Sequence, residues 1–155
     1  MLSIPRNYTF IAGSGQSKKA LTAFDAALVD SGLTSSSLVR ISSILPPKCS
    51  FKDVYEEQSG GLVLSAYSHF ETNKLCTIVA CVGIAVPRSS KDHGMIMEKA
   101  GIFTKNQVEN EVREMLQESM ELRKIEIDEI KIKTSVVENT DSNSFVSVLA
   151  AVLLW

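Results

Sequence analysis

The sequence predicts an α+β fold in which mixed or antiparallel sheet carries helices on its outside, and three observations lead there. Apolar, β-branched runs recur along the chain at 8–12, 38–45, 62–70, 75–86 and 145–155. Helical spacing of apolar residues is confined to two stretches, 18–31 and 104–123. Helices are too few for the regular βαβ alternation of a parallel sheet, which leaves strands layered with helices outside. At 155 residues the chain falls within the usual size of one domain, 1–155, and can bury a core without metals or disulfides.

Taken in order, residues 8–12 form a short β-rich run and Gly13-Ser14-Gly15 predicts a tight loop. Ser17 then stands as the N-cap of a helix over 18–31. In that helix Leu21, Phe24 and Leu28 fall at i, i+3 and i+7 and mark the apolar face, with Asp25 as the i+4 member of the same stripe. Gly32 stops it. Residues 38–45 read as extended, and Pro46-Pro47 ends them because proline cannot donate to a ladder. The polar segment 48–60 is a surface loop. The runs 62–70 and 75–86 flank the polar corner Glu71-Thr72-Asn73-Lys74 and predict a hairpin, with Pro87 terminating the second strand.

Residues 94–101 are compatible with a short strand that has Ile96, Glu98 and Ala100 on one side. Thr104 and Gln107 make a capping box that opens a helix through about Arg123, with Val108, Val112, Met115, Leu116 and Met120 as its stripe. Ile125, Ile127, Ile130 and Ile132 sit among charges as part of an exposed-edged strand. The run 145–155 is apolar enough to be buried on both faces or at an interface.

Composition narrows the function. A formal net charge of −2 provides no basic field for nucleic acid or anionic lipid. Cys49, Cys76 and Cys81 lack the spacing of a metal site or redox motif and read as thiols in a reducing compartment. The first fifteen residues carry a proline and polar groups where a signal peptide needs an apolar stretch, and no apolar run reaches the roughly 20 residues that cross a bilayer. Cytoplasmic residence, with no membrane partner, is the expectation. His69 and His93 stand far apart, and Gly13-Ser14-Gly15 lacks the rest of a phosphate loop, so metal and nucleotide readings are weak.

The informative block is Leu38-Val39-Arg40-Ile41-Ser42-Ser43-Ile44-Leu45-Pro46-Pro47. It resembles the self-cleavage segment of the pyruvoyl-dependent arginine decarboxylases, in which the chain breaks between the two serines. The resemblance extends to Ala12-Gly13-Ser14, Ala23-Phe24-Asp25, Ile96-Met97-Glu98, Val112-Arg113-Glu114-Met115 and the terminal Ala150-Ala151 to Leu154-Trp155 strand, in order and over nearly the whole chain. A lone Ser-Ser carries no such signal, since Ser35-Ser36 and Ser89-Ser90 occur as well.

The resemblance implies a chemistry. The Ser43 hydroxyl attacks the carbonyl of Ser42 and turns a peptide into an ester, a step that needs local constraint, for which the stiff Pro-Pro is a source. Elimination then leaves dehydroalanine, which hydrolyses to a pyruvoyl group with loss of ammonia and yields chains 1–42 and 43–155. The pyruvoyl ketone takes the part pyridoxal plays elsewhere, so no metal and no pyridoxal phosphate are expected. Glu98 matches the family's proton donor and Asp25 the residue that meets the guanidinium of arginine. Ser37 stands where family members carry an asparagine that assists processing, and one hydroxyl lacks the amide's fork. The implied architecture is a four-layer αββα sandwich, assembling as a homotrimer with active sites at the interfaces and converting arginine to agmatine and carbon dioxide. Two other readings stay open: an unprocessed binding or regulatory relative of an active decarboxylase, and a decarboxylase of another basic amino acid.

Overall fold

Apolar or small residues at every position from Val146 to Leu154 commit the last strand to burial on both faces, and the fold is arranged around it. The computed structural model describes residues 3–155. Met1 and Leu2, the first residues of the N-terminal stretch read above for a leader, lie outside them. In chain order the elements are β1 (Asn7–Ser17), α1 (Ala20–Asp30), β2 (Ser37–Arg40), β3 (Ile44–Leu45), β4 (Ser50–Phe51) and β5 (Leu62–Thr72). They continue with β6 (Thr77–Pro87), β7 (Gly94–Gly101), α2 (Lys105–Leu122), β8 (Ile127–Glu138) and β9 (Phe145–Leu154).

Two sheets result, ordered β2-β5-β9-β1-β4 and β3-β7-β6-β8. In the first, β9 runs antiparallel to both β5 and β1, while the short edge strands β2 and β4 pair parallel to β5 and β1. The second is antiparallel throughout. Ala80, Val82, Ile84 and Ile96 of the second sheet meet Ala66, Val148, Ala150 and Val152 of the first in one buried cluster. Helix α2 lays Val108, Val112, Leu116 and Met120 on the opposite face of the second sheet, against Val79, Cys81, Ala85 and Met95. Helix α1 packs on the outer face of the first sheet, where Leu28 joins Leu33, Val63 and Leu153. The layers run α, β, β, α, the sandwich the resemblance implied, and the capping box of Thr104 and Gln107 forms as expected.

Several local expectations are corrected. Gly13-Ser14-Gly15 is not a turn: β1 runs through it, pairing these residues with Leu149, Val148 and Ser147, and α1 starts after Lys19 without a side-chain cap from Ser17. The glycines are there because α1 lies directly on them. A Cβ at Gly13 would stand 2.3 Å from the Ala27 carbonyl oxygen, and one at Gly15 would stand 2.4 Å from that of Ala23. For the same reason the buried face of α1 is Ala23 and Ala27, while Leu21, predicted to be core, is 78% exposed. Asp25 accordingly faces outward.

The predicted hairpin is also absent. β5 and β6 belong to different sheets, and residues 73–76 carry the chain from one layer to the other. A hairpin and an interlayer arch share the same local signal of two β runs and a polar corner; which strand each one pairs with depends on distant segments. Likewise the single extended run 38–45 divides into β2 in the first sheet and β3 in the second.

Candidate active site

The crossover between β2 and β3 consists of Ile41, Ser42 and Ser43, so the serine pair stands where the chain leaves one sheet for the other. Its backbone is held at both ends. The amide of Ile41 donates to the Ser65 carbonyl at 3.0 Å, and the carbonyl of Ser43 accepts from the Ile96 amide at 2.7 Å. Between them the Ser42 carbonyl accepts from the Ile44 amide at 2.9 Å, closing a three-residue γ-turn centred on Ser43. The donated hydrogen bond draws electron density from the Ser42 carbonyl, the group a Ser43 hydroxyl would attack. Pro46 and Pro47 come only after Leu45 has paired with Gly94, so the pair is constrained by these hydrogen bonds rather than by the prolines.

Glu98 arrives on β7, the neighbour of β3. Alternation along β7 puts Ile96, Glu98 and Ala100 on the face toward the first sheet, and Met95 and Met97 on the face toward α2. Ile96 is the residue that binds Ser43, so Glu98 lies two residues from that contact on the same face. Its side chain is 24% exposed. Burial raises its pKa above the ordinary carboxylate value, while the Arg40 guanidinium, with Nη1 3.9 Å from Oε1, works in the opposite direction.

Arg40 was not singled out by sequence reasoning, although it lies inside the informative block two residues before Ser42. Its guanidinium rests on the Tyr67 ring at 3.9 Å. The stack continues outward, with His69 5.8 Å from Tyr67 and Phe24 of α1 4.5 Å from His69. Asp25 follows Phe24 in the chain, yet no hydrogen bond or ion pair among the described residues ties it to the serine pair or to Glu98. The Ile96–Ser43 hydrogen bond therefore sets the serine pair beside the strand that carries Glu98, while Asp25 stands on an exposed helix face.

Ser37 opens β2, where its amide donates to the Gly61 carbonyl at 2.8 Å and its side chain is exposed. The loop just before it is anchored by a residue that sequence reasoning also missed. Both carboxylate oxygens of Glu57 accept from the loop: Thr34 donates to Oε1 at 2.6 Å, and Ser35 and Ser36 donate to Oε2 at 2.8 Å each, all through backbone amides. What burial Glu57 has works to raise its pKa, but these amides and the Thr34 hydroxyl outweigh it and bring the value down to about 2. No sequence signal marks this clamp, because its partners lie more than twenty residues away.

Fold and site together describe a layered α+β enzyme with its candidate reactive groups on the crossover between two sheets. The sequence model of the family described as pyruvoyl-dependent arginine decarboxylase matches residues 7–155. A pyruvoyl-dependent arginine decarboxylase of Methanococcus vannielii is 36% identical over 153 residues, spanning 97% of this chain and 91% of that protein. Proteins of the same name from Methanocaldococcus jannaschii and Pyrococcus abyssi are 34% and 29% identical, over 98% and 97% of this chain and 91% and 96% of theirs. The chain belongs to the pyruvoyl-dependent arginine decarboxylase family.

Proposed function

We propose that this protein decarboxylates L-arginine to agmatine and carbon dioxide, using a pyruvoyl group that it makes from Ser43 by breaking its own chain between Ser42 and Ser43. The observation that carries this reading is the γ-turn at Ser43, in which Ile44 polarises the Ser42 carbonyl while Ile96 holds the turn against β7. A hydroxyl next to a polarised and immobilised carbonyl suits an N-to-O acyl shift, and Ser43 supplies that hydroxyl. The pyruvoyl group, once formed, supplies an electron sink for the bond to the departing carboxylate.

The remaining roles fall to the chain's own residues. Burial favours the protonated form of Glu98, and in that form it delivers a proton to the substrate carbon. Asp25 accepts charge-assisted hydrogen bonds from the substrate guanidinium. An outward-facing Asp25 needs a second wall to shield that contact from water, which favours a pocket closed by a neighbouring protomer, and we take the assembly to be a homotrimer. Sedimentation at micromolar concentration should give three times the protomer mass.

Intact mass after incubation tests the central claim. Two polypeptides ending at Ser42 and beginning at residue 43, the larger without a free α-amine, are expected. One persistent chain of 155 residues would favour the binding-partner reading, and Ser37→Asn should then restore the break.

A further inference from the structure

Self-cleavage as proposed above creates a charge that the uncut chain does not have, and Arg40 is the cation beside it. Ser43 Oγ attacks the Ser42 carbonyl carbon, the C–N bond breaks, and an ester forms. Loss of the Ser43 α-proton to base then expels the Ser42 carboxylate, whose second oxygen is the former Oγ. Water added to the dehydroalanine left behind supplies the ketone oxygen as ammonia departs. A neutral carbonyl bound to Ile44 has become a full negative charge on a chain end, two residues from Arg40.

We infer that Arg40 is a positioning residue that changes partner when the chain breaks, pairing with Glu98 in the uncut chain and with the new α-carboxylate of Ser42 in the cut one. This rests on the self-cleavage reading, and the geometry supports it in three ways. β2 ends at Arg40, and after the Ile41–Ser65 hydrogen bond its partner β5 continues to Thr72 with that edge open. The guanidinium passes round that edge from Tyr67 to Glu98, which belongs to the other sheet. Contact with Glu98 is loose: 3.9 Å, against about 2.7–2.9 Å for a formed charge-assisted hydrogen bond. A carboxylate on a loosened chain end can meet the guanidinium fork face to face, as Glu98, fixed on β7, does not.

The consequence falls on Glu98. No other cation on the packed elements is placed to replace Arg40. β6 faces Glu98 with Val82, and Lys133 of β8 stands one strand farther, across Val82. Lys99 is engaged with Glu111 on the α2 side. The inner faces of β5 and β9 present Ala66, Ser68, Phe70, Val148, Ala150 and Val152. Once Arg40 leaves, burial acts on Glu98 without the opposing pull of the guanidinium, and its pKa rises further. The acid form is thus favoured more strongly after the chain has made its cofactor.

Carboxyl-labelled glutamate, with the Glu98 resonance assigned through Glu98→Gln, gives a direct readout by NMR titration. The Glu98 midpoint should lie at higher pH in the cut protein than in uncut Ser43→Ala, and Arg40→Gln in that uncut background should raise it to the position of the cut protein. In the cut protein Arg40→Gln should leave the midpoint where it is, a comparison that does not depend on Ser43→Ala folding. Equal midpoints in cut and uncut chains, or an upward shift caused by Arg40→Gln in the cut protein, overturn the change of partner. If mass spectrometry finds no break, the self-cleavage reading falls and this inference falls with it. If the chain breaks and makes agmatine while the midpoint stays put, only the inference falls.

Discussion

The backbone amide of Ile96 donates to the carbonyl of Ser43 at 2.7 Å, and this bond ties the serine pair to the strand that carries Glu98. The serine pair and Glu98 are therefore held by one ladder, and anything that shifts β3 against β7 should disturb the Ser42–Ser43 segment before it disturbs the rest of the molecule.

Gly94 offers the sharpest such disturbance. It faces Leu45 in the short β3–β7 pairing, and a Cβ there would stand 2.3 Å from the Ala85 carbonyl oxygen and 3.1 Å from Leu45 Cδ2. Overpacking of this kind costs about 1–3 kcal/mol. Gly94→Ala should fold with a melting temperature lowered by several degrees and cut itself about tenfold more slowly or worse, followed as a time course on denaturing gels. An unchanged cleavage rate would show that the β3–β7 pairing does not hold the turn.

Glu98→Gln separates making the cofactor from using it. Size and hydrogen bonding are kept while the proton is lost, so two-chain processing and a titratable carbonyl on the larger chain should be normal. Decarboxylation should slow by roughly 10²–10⁴-fold. The acid form of Glu98 is present below its raised pKa and is lost as pH climbs through it, so the unaltered enzyme should show a falling alkaline limb that Glu98→Gln lacks. Undiminished agmatine production by the variant would assign the proton to another group or to water.

Asp25 should govern the choice of substrate. Its carboxylate suits the planar, two-donor guanidinium better than the shorter ammonium of ornithine. kcat/KM for arginine should exceed that for ornithine in the unaltered protein, and Asp25→Asn should lose both activity and discrimination. Equal turnover of the two substrates would point to a decarboxylase of basic amino acids in general.

Glu57 should fasten the loop before β2 over nearly the whole pH range. A carboxylate depressed to about 2 contributes stability that is present above its unfolded pKa and is lost only as pH falls through the folded value. Amide hydrogen exchange at Thr34, Ser35 and Ser36 should remain slow at pH 4 and quicken toward pH 2, whereas Glu57→Gln should exchange quickly throughout. Slow exchange in the variant would mean that the loop is held by Ser37 and Gly60 instead.

Much of the molecule was legible one segment at a time. A short strand with Ile96, Glu98 and Ala100 on one face was compatible with the residues of 94–101, and the Thr104–Gln107 box opened α2, because each depends on residues only a few positions apart. The block from Leu38 to Pro47 pointed to its chemistry through resemblance alone. Asp25 was legible as a residue type but not as a location: the apolar stripe suggested a core-facing helix side, whereas close packing on Gly13 and Gly15 selected the alanines.

By itself, then, the sequence determined the two helices, the cores of the long strands, the capping of α2, the serine pair and the carboxylate at position 98, since these are written in local spacing and residue chemistry. Tertiary structure alone decided that Ser42 and Ser43 stand on a crossover between sheets, that Arg40 reaches Glu98, that Glu57 clamps the 34–36 loop and that β5 and β6 part company. Each of those outcomes is a pairing between segments far apart in the chain, and local propensity is equally satisfied by several partners until the layers close on one another.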